Sequence, residues 1–313
     1  MSELPSSGHG LHWHAQALWA ALAPLLPGLS VEVVAHTTST NSALLQRARI
    51  GLGHDPAPAT PDGAPEAPAF GRRAADLQPC LLVAEHQTGG RGRQGKRWQS
   101  APGASLTFSL SLPLARPDAS GLSLAIGVAV ADALDPPADA RAGRPRIGVK
   151  WPNDLWLLDA AHDAAPDTPP GRKLGGILIE TLSAGTQRLA VVGIGLNVLP
   201  LEVPAGSASS GYACLQEIDP QASAPDALAR VAPALVEALQ RFEREGYAGF
   251  AAHYAARDVL FGRAVQTTQA GAPHGIARGV TPQGLLRLQT ADELVTIASG
   301  EVSVRLTDPT APC

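Results

Sequence analysis

Ten residues decide which folds are open to this chain: Gly89-Gly90-Arg91-Gly92-Arg93-Gln94-Gly95-Lys96-Arg97-Trp98. Four are glycines and four are cations, so the backbone can approach a ligand closely while guanidinium and ammonium groups meet carboxylate or phosphate oxygens. Gly90, Gly92 and Gly95 satisfy G-x-G-x-x-G, and Gly90 to Lys96 begins as a P-loop does. Both motifs need a strand before the loop and a helix after it, because the phosphate sits on the helix N-terminus. Cys80-Leu81-Leu82-Val83-Ala84 supplies the strand. No helix comes after the loop: Trp98 to Gly103 leads into Ser105-Leu106-Thr107-Phe108-Ser109-Leu110-Ser111-Leu112, whose alternation is that of a second strand. Arg97 also stands where a P-loop has its Mg²⁺-binding Ser or Thr. The pattern argues against Rossmann and P-loop folds and for an anion-holding loop between two strands. A solvated basic loop or an RNA-binding Arg-Gly box stays open at this point.

Composition narrows what the loop can hold. The 313 residues carry 24 Lys and Arg against 28 Asp and Glu, a net charge of −4, so a basic loop sits on a mildly acidic body. A broad nucleic-acid surface needs a basic stripe, whereas local capture of small anions fits this distribution. With 45% hydrophobic residues, the chain can build one large core or two domains. Cys80, Cys214 and Cys313 are odd in number, far apart and in no C-x-x-C pattern, which points to a reducing compartment without disulfides or structural zinc. No apolar run approaches about 18 residues and no basic leader precedes a short apolar stretch, so the expectation is a soluble cytoplasmic protein without membrane contact. His9, His12 and His14 lack a companion Cys or carboxylate and read as surface residues of a loosely held terminus.

By periodicity, Leu11 to Leu26 is a helix that stops at Pro27-Gly28, and Val31 to Val34 is a short strand. Ser39-Thr40-Asn41-Ser42 starts a helix whose free N–H groups its own side chains can cap. His54 to Pro68 and Ala160 to Pro170 are crowded with Pro, Ala and Asp and read as flexible insertions. Gly121 to Leu134 is a helix, and Ile147 to Lys150, Leu155 to Leu158, Leu174 to Thr181 and Leu189 to Gly195 are strands. Pro225 to Tyr254 is helical, in two pieces broken near Gly246. Short runs at Ala264 to Thr268, Gly275 to Val280, Gly284 to Leu288, Leu294 to Ile297 and Val302 to Leu306 suggest a small β-barrel. The expectation is α+β: a helical extension over 1–30, a main domain over 31–260 with a mixed or antiparallel sheet, and a compact all-β domain over 262–306.

Three further constellations carry chemistry. Lys150-Trp151-Pro152-Asn153-Asp154 ends a strand, and Pro152 breaks the ladder there. Asp154 is a candidate Mg²⁺ ligand and Asn153 a candidate nucleotide contact, although the same residues also make an ordinary turn. Arg172-Lys173-Leu174-Gly175-Gly176-Ile177-Leu178-Ile179-Glu180 puts a lysine before two glycines, which suits a point charge on a phosphate or equally a surface lysine before a bulge. Val191-Val192-Gly193-Ile194-Gly195-Leu196-Asn197-Val198 offers a smooth floor, either for a flat ligand or for close packing of another element. Together these residues describe a site for two anions and a planar group. No activated nucleophile is present: there is no G-x-S-x-G, no Cys beside a His and no H-E-x-x-H. What remains is a reaction driven by charge neutralisation and positioning.

These residues resemble the biotin protein ligases, the biotin–acetyl-CoA-carboxylase ligases. The family's Gly-Arg-Gly-Arg-x-Gly loop is similar to Gly90 to Gly95, its Lys-Trp-Pro-Asn-Asp to Lys150 to Asp154, and its Lys-Leu-x-Gly-Ile to Lys173 to Ile177. Its Gly-Ile-Gly-x-Asn resembles Gly193 to Asn197, its Ser-Thr-Asn resembles Ser39 to Asn41, and Glu85-His86-Gln87 leads into the loop as in the family. Gly300-Glu301-Val302-Ser303 resembles the end of the family's SH3-like C-terminal domain, and the similarity runs from Val31 to Leu306.

The resemblance implies a class II synthetase-like catalytic domain plus a small SH3-like barrel. It also implies two steps: biotin and ATP form biotinyl-5′-adenylate, and biotin then passes to a lysine of the biotin carboxyl carrier protein. It places Arg93, Lys173 and Lys150 in the catalytic role. Biotin would be held by Ser39, Thr40, Asn41, Gln87, Gly90, Arg91, Gly92, Arg93, Lys173, Gly175 and Gly176. ATP would be held by Lys96, Arg97, Trp98, Asn153, Asp154 and Asn197, with Mg²⁺ on Asp154. A loop ordering over the adenylate would keep water from it.

The chain departs from the family pattern in its two insertions and at Gln94, where a further basic residue is common. Some members carry an N-terminal helix-turn-helix domain and repress the biotin operon. The residues before Val31 are too few for that domain, so the expectation is a ligase without DNA binding, as a monomer or weak homodimer. The alternatives are a lipoate or octanoate ligase or transferase, which resembles this fold, and a nucleic-acid-binding module acting through the Arg-Gly loop.

Overall fold

Strand, loop and strand succeed one another as the sequence indicates. The structure is a computed structural model that describes residues 11–53, 77–136, 145–159, 169–184, 187–201, 211–299 and 302–306. Strand β2 (Cys80–Gln87) enters the basic loop and β3 (Ser105–Pro113) leaves it, with only a three-residue 3₁₀ turn, Arg93–Gly95, between them. The first insertion, the Ala160 to Thr168 part of the second, and Gly300-Glu301 lie outside the described residues.

The main sheet has seven strands in the order β1 (Ser30–Thr37), β2, β3, β7 (Gln187–Asn197), β6 (Gly171–Ala184), β5 (Asp154–Leu158) and β4 (Ile147–Lys150). Only β1 and β2 run parallel, and every other neighbour is antiparallel, so the sheet is mixed, as expected.

Alternation divides this sheet into two faces. On one face Leu106, Phe108, Leu110 and Leu112 of β3 join Ala190, Val192, Ile194 and Leu196 of β7 in the large core. That core is covered by α1 (Ala15–Leu22), α3 (Leu122–Leu134), α4 (Ala224–Glu245) and α5 (Ala251–Arg257). The other face presents Ser105, Thr107, Ser109 and Ser111 of β3 and Gly193, Gly195 and Asn197 of β7. Helix α2 (Thr40–Gly51) covers part of this face through Leu44, Leu45 and Ala48.

Most expected elements are present, with shifted ends. Gly246, at φ 64, ends α4, and a 3₁₀ turn, Gly246–Phe250, leads into α5, which is the expected break. Two expectations for the N-terminal stretch need correcting. The helix begins at Ala15 rather than Leu11, because His14 takes a left-handed conformation at φ 48. The described part of the terminus is also held firmly: Trp13 is buried, and Glu85 Oε1 accepts from its Nε1–H at 3.0 Å and from the Leu11 N–H at 3.1 Å. His12 and His14 are exposed, as expected.

The C-terminal strands β8 (Ala264–Thr267), β9 (His274–Val280), β10 (Leu286–Gln289), β11 (Leu294–Ile297) and β12 (Val304–Leu306) form one small antiparallel sheet. Strand β10 starts two residues later than expected because Gly284, at φ 80, belongs to the preceding turn. That turn is seated on the main domain: Trp151 Nε1–H donates to Gly284 O at 3.1 Å, and a Cβ on Gly284 would lie 2.7 Å from Gly121 Cα. No helix among the described residues is long and apolar enough to cross a membrane.

Candidate active site

The polar face of the main sheet, the N-terminus of α2, the basic loop and the end of the C-terminal sheet line a half-open cavity of about 520 Å³. Its uncharged half is built on α2. Ser39 caps the helix, accepting from the Ser42 N–H at 3.4 Å. Gln87 Oε1 accepts from the Thr40 N–H at 2.8 Å and from the Thr40 hydroxyl at 3.2 Å. Ser109 Oγ lies 2.6 Å from both Thr40 Oγ1 and Asn41 Oδ1. Asn41 commits both amide hydrogens, to Leu178 O at 3.1 Å and to Glu180 Oε2 at 2.9 Å, so it shapes the wall of the cavity. Ser39, Thr40, Asn41 and Ser109 are all buried.

The lining also carries seven cations, Arg91, Arg93, Lys96, Arg97, Lys150, Lys173 and Arg305, and one carboxylate, Asp154. A register shift positions the key pair. Leu155 pairs with Gly175 and Trp156 with Lys173, so Leu174 is the extra residue of a bulge in β6. Without that bulge, Lys173 would point to the opposite face. With it, Lys173 Nζ reaches Asp154 Oδ1 at 2.7 Å. Asn153 Nδ2 donates to Ile177 O at 2.7 Å, which fixes the strand turn against β6. Lys150 is buried beside the Trp156 ring and donates to Val304 O at 2.7 Å. Burial pushes its ammonium down to about 8; Asp154 opposes this, while Lys173, Lys96 and Arg305 add to it.

The basic loop folds back on itself. Trp98 N–H donates to Gly90 O at 2.9 Å and Gly92 N–H to Lys96 O at 2.7 Å, around a tip where Gln94 and Gly95 have φ 55 and 70. Arg91 bonds Glu180 Oε1 at 2.9 Å and Ser42 Oγ at 3.2 Å. Arg93 donates to Ser299 O, and Ser303 Oγ lies 2.5 Å from Gln94 Oε1, so the C-terminal sheet meets the loop tip over the cavity.

The glycine floor holds parts of the chain itself. A Cβ on Gly195 would come within 2.5 Å of the Trp98 indole, and one on Gly193 within 2.2 Å of Asn41 Oδ1. Of the residues proposed from sequence, Gly90 and Gly175 do not line the cavity. A Cβ on Gly90 would meet Trp98 O at 2.5 Å, and one on Gly175 would meet Gly195 O at 2.6 Å, so both glycines serve backbone packing. Asn197 lines the cavity, but its amide hydrogens go to Lys173 O at 3.3 Å and Ala213 O at 2.9 Å. Sequence reading gave no role to Ser109, Glu180, Ser303 or Arg305. The Ser/Thr alternation of β3 signals the first and strand parity from Gly176 signals the second, whereas the last two arrive only through tertiary docking.

Among the described residues no group of three or more His, Cys, Asp or Glu could hold a metal ion by itself. Asp154 offers a single carboxylate, which fits a Mg²⁺ ion arriving on a nucleotide rather than a protein-built cage.

Residues 75–197 match the Biotin/lipoate A/B protein ligase family, and residues 260–305 match the Biotin protein ligase C terminal domain. The chain is 32% identical over 287 residues to the biotin–[acetyl-CoA-carboxylase] ligase of Mycobacterium tuberculosis, covering 87% of this chain and 88% of that protein. It is 34% identical over 227 residues to the bifunctional ligase/repressor BirA of Salmonella typhimurium, covering 71% of this chain but only 66% of the relative. Among solved structures, the biotin protein ligase of Aquifex aeolicus in complex with biotin and ATP superposes with a TM-score of 0.63 at 23% identity, covering 89% of this chain and 99% of that one. The fold agrees with that structure, the two family matches fall on the two sheets, and the likeness to the mycobacterial protein runs through most of both chains: this chain belongs to the biotin protein ligase family.

Proposed function

We propose that this protein is an ATP-dependent biotin protein ligase, which forms biotinyl-5′-adenylate and transfers biotin to a lysine of a biotin carboxyl carrier protein. The observation that carries the reading is one cavity that combines an uncharged hydrogen-bonding wall on α2 with a lining that includes seven cations, on a chain whose net charge is −4. The relatives named as biotin ligases, and the structure described as holding biotin and ATP, support the same substrates.

In the first step a carboxylate oxygen of biotin attacks the α-phosphorus of ATP, and the bond from that phosphorus to the bridging oxygen of pyrophosphate breaks. Two anions must meet, so their repulsion has to be screened by positioned charges. Ser39, Thr40, Asn41 and Gln87 would hold the uncharged part of biotin and fix its carboxylate beside Lys173 and Arg93. Lys150, Lys96, Arg97 and Asn153 would face the nucleotide. Mg²⁺, held by Asp154 and the phosphates, would neutralise polyphosphate charge. Asp154 holds Lys173 ready in the meantime, and an incoming carboxylate or phosphate competes for the same ammonium. In the second step the carrier lysine amine attacks the acyl carbon, AMP leaves with the bonding electrons, and the amine proton is lost to solvent. No residue forms a covalent intermediate, in keeping with a site that offers charge and geometry but no activated nucleophile.

The test is incubation with biotin, ATP and Mg²⁺, monitoring biotin-dependent pyrophosphate release and retained biotinyl-adenylate. Adenylation of lipoate or octanoate in place of biotin would keep the fold and replace the substrate. No adenylation with any acid would refute the proposal.

A further inference from the structure

Glu180 holds neither the anions nor the ring of the proposed substrates, yet it joins the two halves of the site. It stands on β6 with the same strand parity as Gly176 and Leu178, on the face that lines the cavity. Its two carboxylate oxygens point to different partners. Oε2 accepts from Asn41 Nδ2 at 2.9 Å, and Asn41 Oδ1 in turn lies 2.6 Å from Ser109 Oγ, next to Thr40 and Gln87. Oε1 accepts from Arg91 Nη2 at 2.9 Å, the arginine at the stem of the basic loop. Glu180 keeps 23% of its side-chain surface exposed against 49% for Arg91, so the pair lies where the loop touches the pocket wall.

The loop is therefore anchored at two places. Its tip meets the C-terminal sheet through Arg93 and Gln94, and its stem meets the main sheet through Arg91 and Glu180. A carboxylate whose inward oxygen is fixed by a buried amide has its outward oxygen aimed, which is how a supporting group positions another. This also separates the roles of two neighbouring arginines. The Arg91 guanidinium is already matched to Glu180, whereas Arg93 faces the anion half of the cavity beside Asp154.

We propose that Glu180 is a positioning residue for this site: by holding Asn41 with one oxygen and Arg91 with the other, it makes closure of the basic loop depend on the order of the uncharged pocket. The functional consequence rests on the ligase reading, in which loop closure keeps water from an acyl-adenylate. The structural coupling does not need that reading.

The loop carries three tryptic sites beyond Arg91, at Arg93, Lys96 and Arg97, which every variant below retains, so closure can be read directly in the protein without substrate. Glu180→Gln keeps the shape and removes the charge that Arg91 requires. Cleavage after Arg93, Lys96 or Arg97 is expected to accelerate about tenfold, as the loss of one charge-assisted hydrogen bond implies. Arg91→Gln, on the exposed partner, should do the same without disturbing the buried side, and the double variant should be no faster than either single one. With biotin and ATP added, both variants should release adenylate to hydrolysis about tenfold faster than the parent, with little change in KM for ATP. A purely structural Glu180 would instead lower the denaturation midpoint and leave the loop as protected as before. The proposal is overturned if Glu180→Gln leaves tryptic protection unchanged, or if the effects of Glu180→Gln and Arg91→Gln add. If the parent protein adenylates no biotin while the tryptic results hold, the ligase reading fails and the coupling stands.

Discussion

The glycine floor gives a graded test of the whole pocket. At Gly193 a Cβ would lie 2.2 Å from Asn41 Oδ1, 2.9 Å from its Cγ and 3.2 Å from its Nδ2. Ordinary contact begins near 3.4 Å, so Gly193→Ala must push the amide away by about 1 Å. The amide cannot yield freely, because it is tied to Leu178 O, Glu180 Oε2 and Ser109 Oγ. Each bond is worth about 0.5–1.5 kcal/mol net, and breaking two or three of them in a buried wall gives a loss of about 1–4.5 kcal/mol. At Gly195 the obstacle is the Trp98 indole at 2.5 Å, a side chain of the loop, so Gly195→Ala should disturb closure more than stability. At Gly176 the nearest atom is 3.6 Å away, and alanine there should leave the fold intact.

The assay pairs denaturant unfolding with KM for biotin. The expected order of destabilisation is Gly193→Ala, then Gly195→Ala, then Gly176→Ala, with the biotin KM raised most by the first. A double-mutant cycle isolates the cause. Asn41→Ala removes the obstructing amide, so adding Gly193→Ala to it should cost little more. If the two losses simply add, Asn41 is not what Gly193 accommodates, and the account of the wall is wrong.

The charged half makes three further predictions. Arg93→Ala should lower the rate of biotinyl-adenylate formation about 10²–10³-fold, the usual loss for one positioned charge, and a change under about threefold in single-turnover pyrophosphate release would contradict its role. For Lys150 the folded value of about 8 lies below the ordinary 10.5, so its charge facing the nucleotide is lost as pH rises through about 8. The unfolded chain binds the extra proton between those values, so this group makes stability rise with pH across that window, while kcat/KM for ATP falls. Lys150→Met should start lower at neutral pH and lack that falling limb, which a pH profile of both proteins shows. Gly284→Ala combines φ 80 with a Cβ 2.7 Å from Gly121 Cα, a strain of about 1–3 kcal/mol. It should loosen the seat of the C-terminal sheet and raise KM for ATP while leaving KM for biotin near its parent value.

Much of the fold is legible in the sequence, because strand and helix periods are local. The strand after the basic loop is evident from the alternation at Ser105 to Leu112, and it alone removes the nucleotide-binding folds that the glycines imitate. Other features depend on partners far along the chain. The glycines after Lys173 allow a bulge but do not show that Leu174 is the residue it inserts, yet that one residue decides whether the ammonium joins Asp154 or faces the core side. Lys150 looks like any strand lysine until Val304 O and the Trp156 ring close around it. The glycines of Gly193 to Gly195 leave ligand and packing as equal readings in sequence, and the structure fills the space with Asn41 and Trp98.

One physical rule connects these observations. The main sheet must bury one face beneath helices, and on β3, β6 and β7 that face takes the large aliphatic residues. Period-2 alternation then commits the intervening positions to the other face, where Ser109, Gly193, Gly195, Asn197, Gly176 and Glu180 are small or polar. A one-residue slip between β3 and β7 would therefore ruin core and site together. Rigid strands and a capped helix support the neutral half of the cavity, while the cations come largely from the loop, the strand ends and the C-terminal sheet. This distribution suits a reaction that must first recognise an uncharged ring and then draw charge around a carboxylate and a phosphate. The recognition surface stays fixed by the core, and the groups that must approach the anions are carried on elements brought together by tertiary docking.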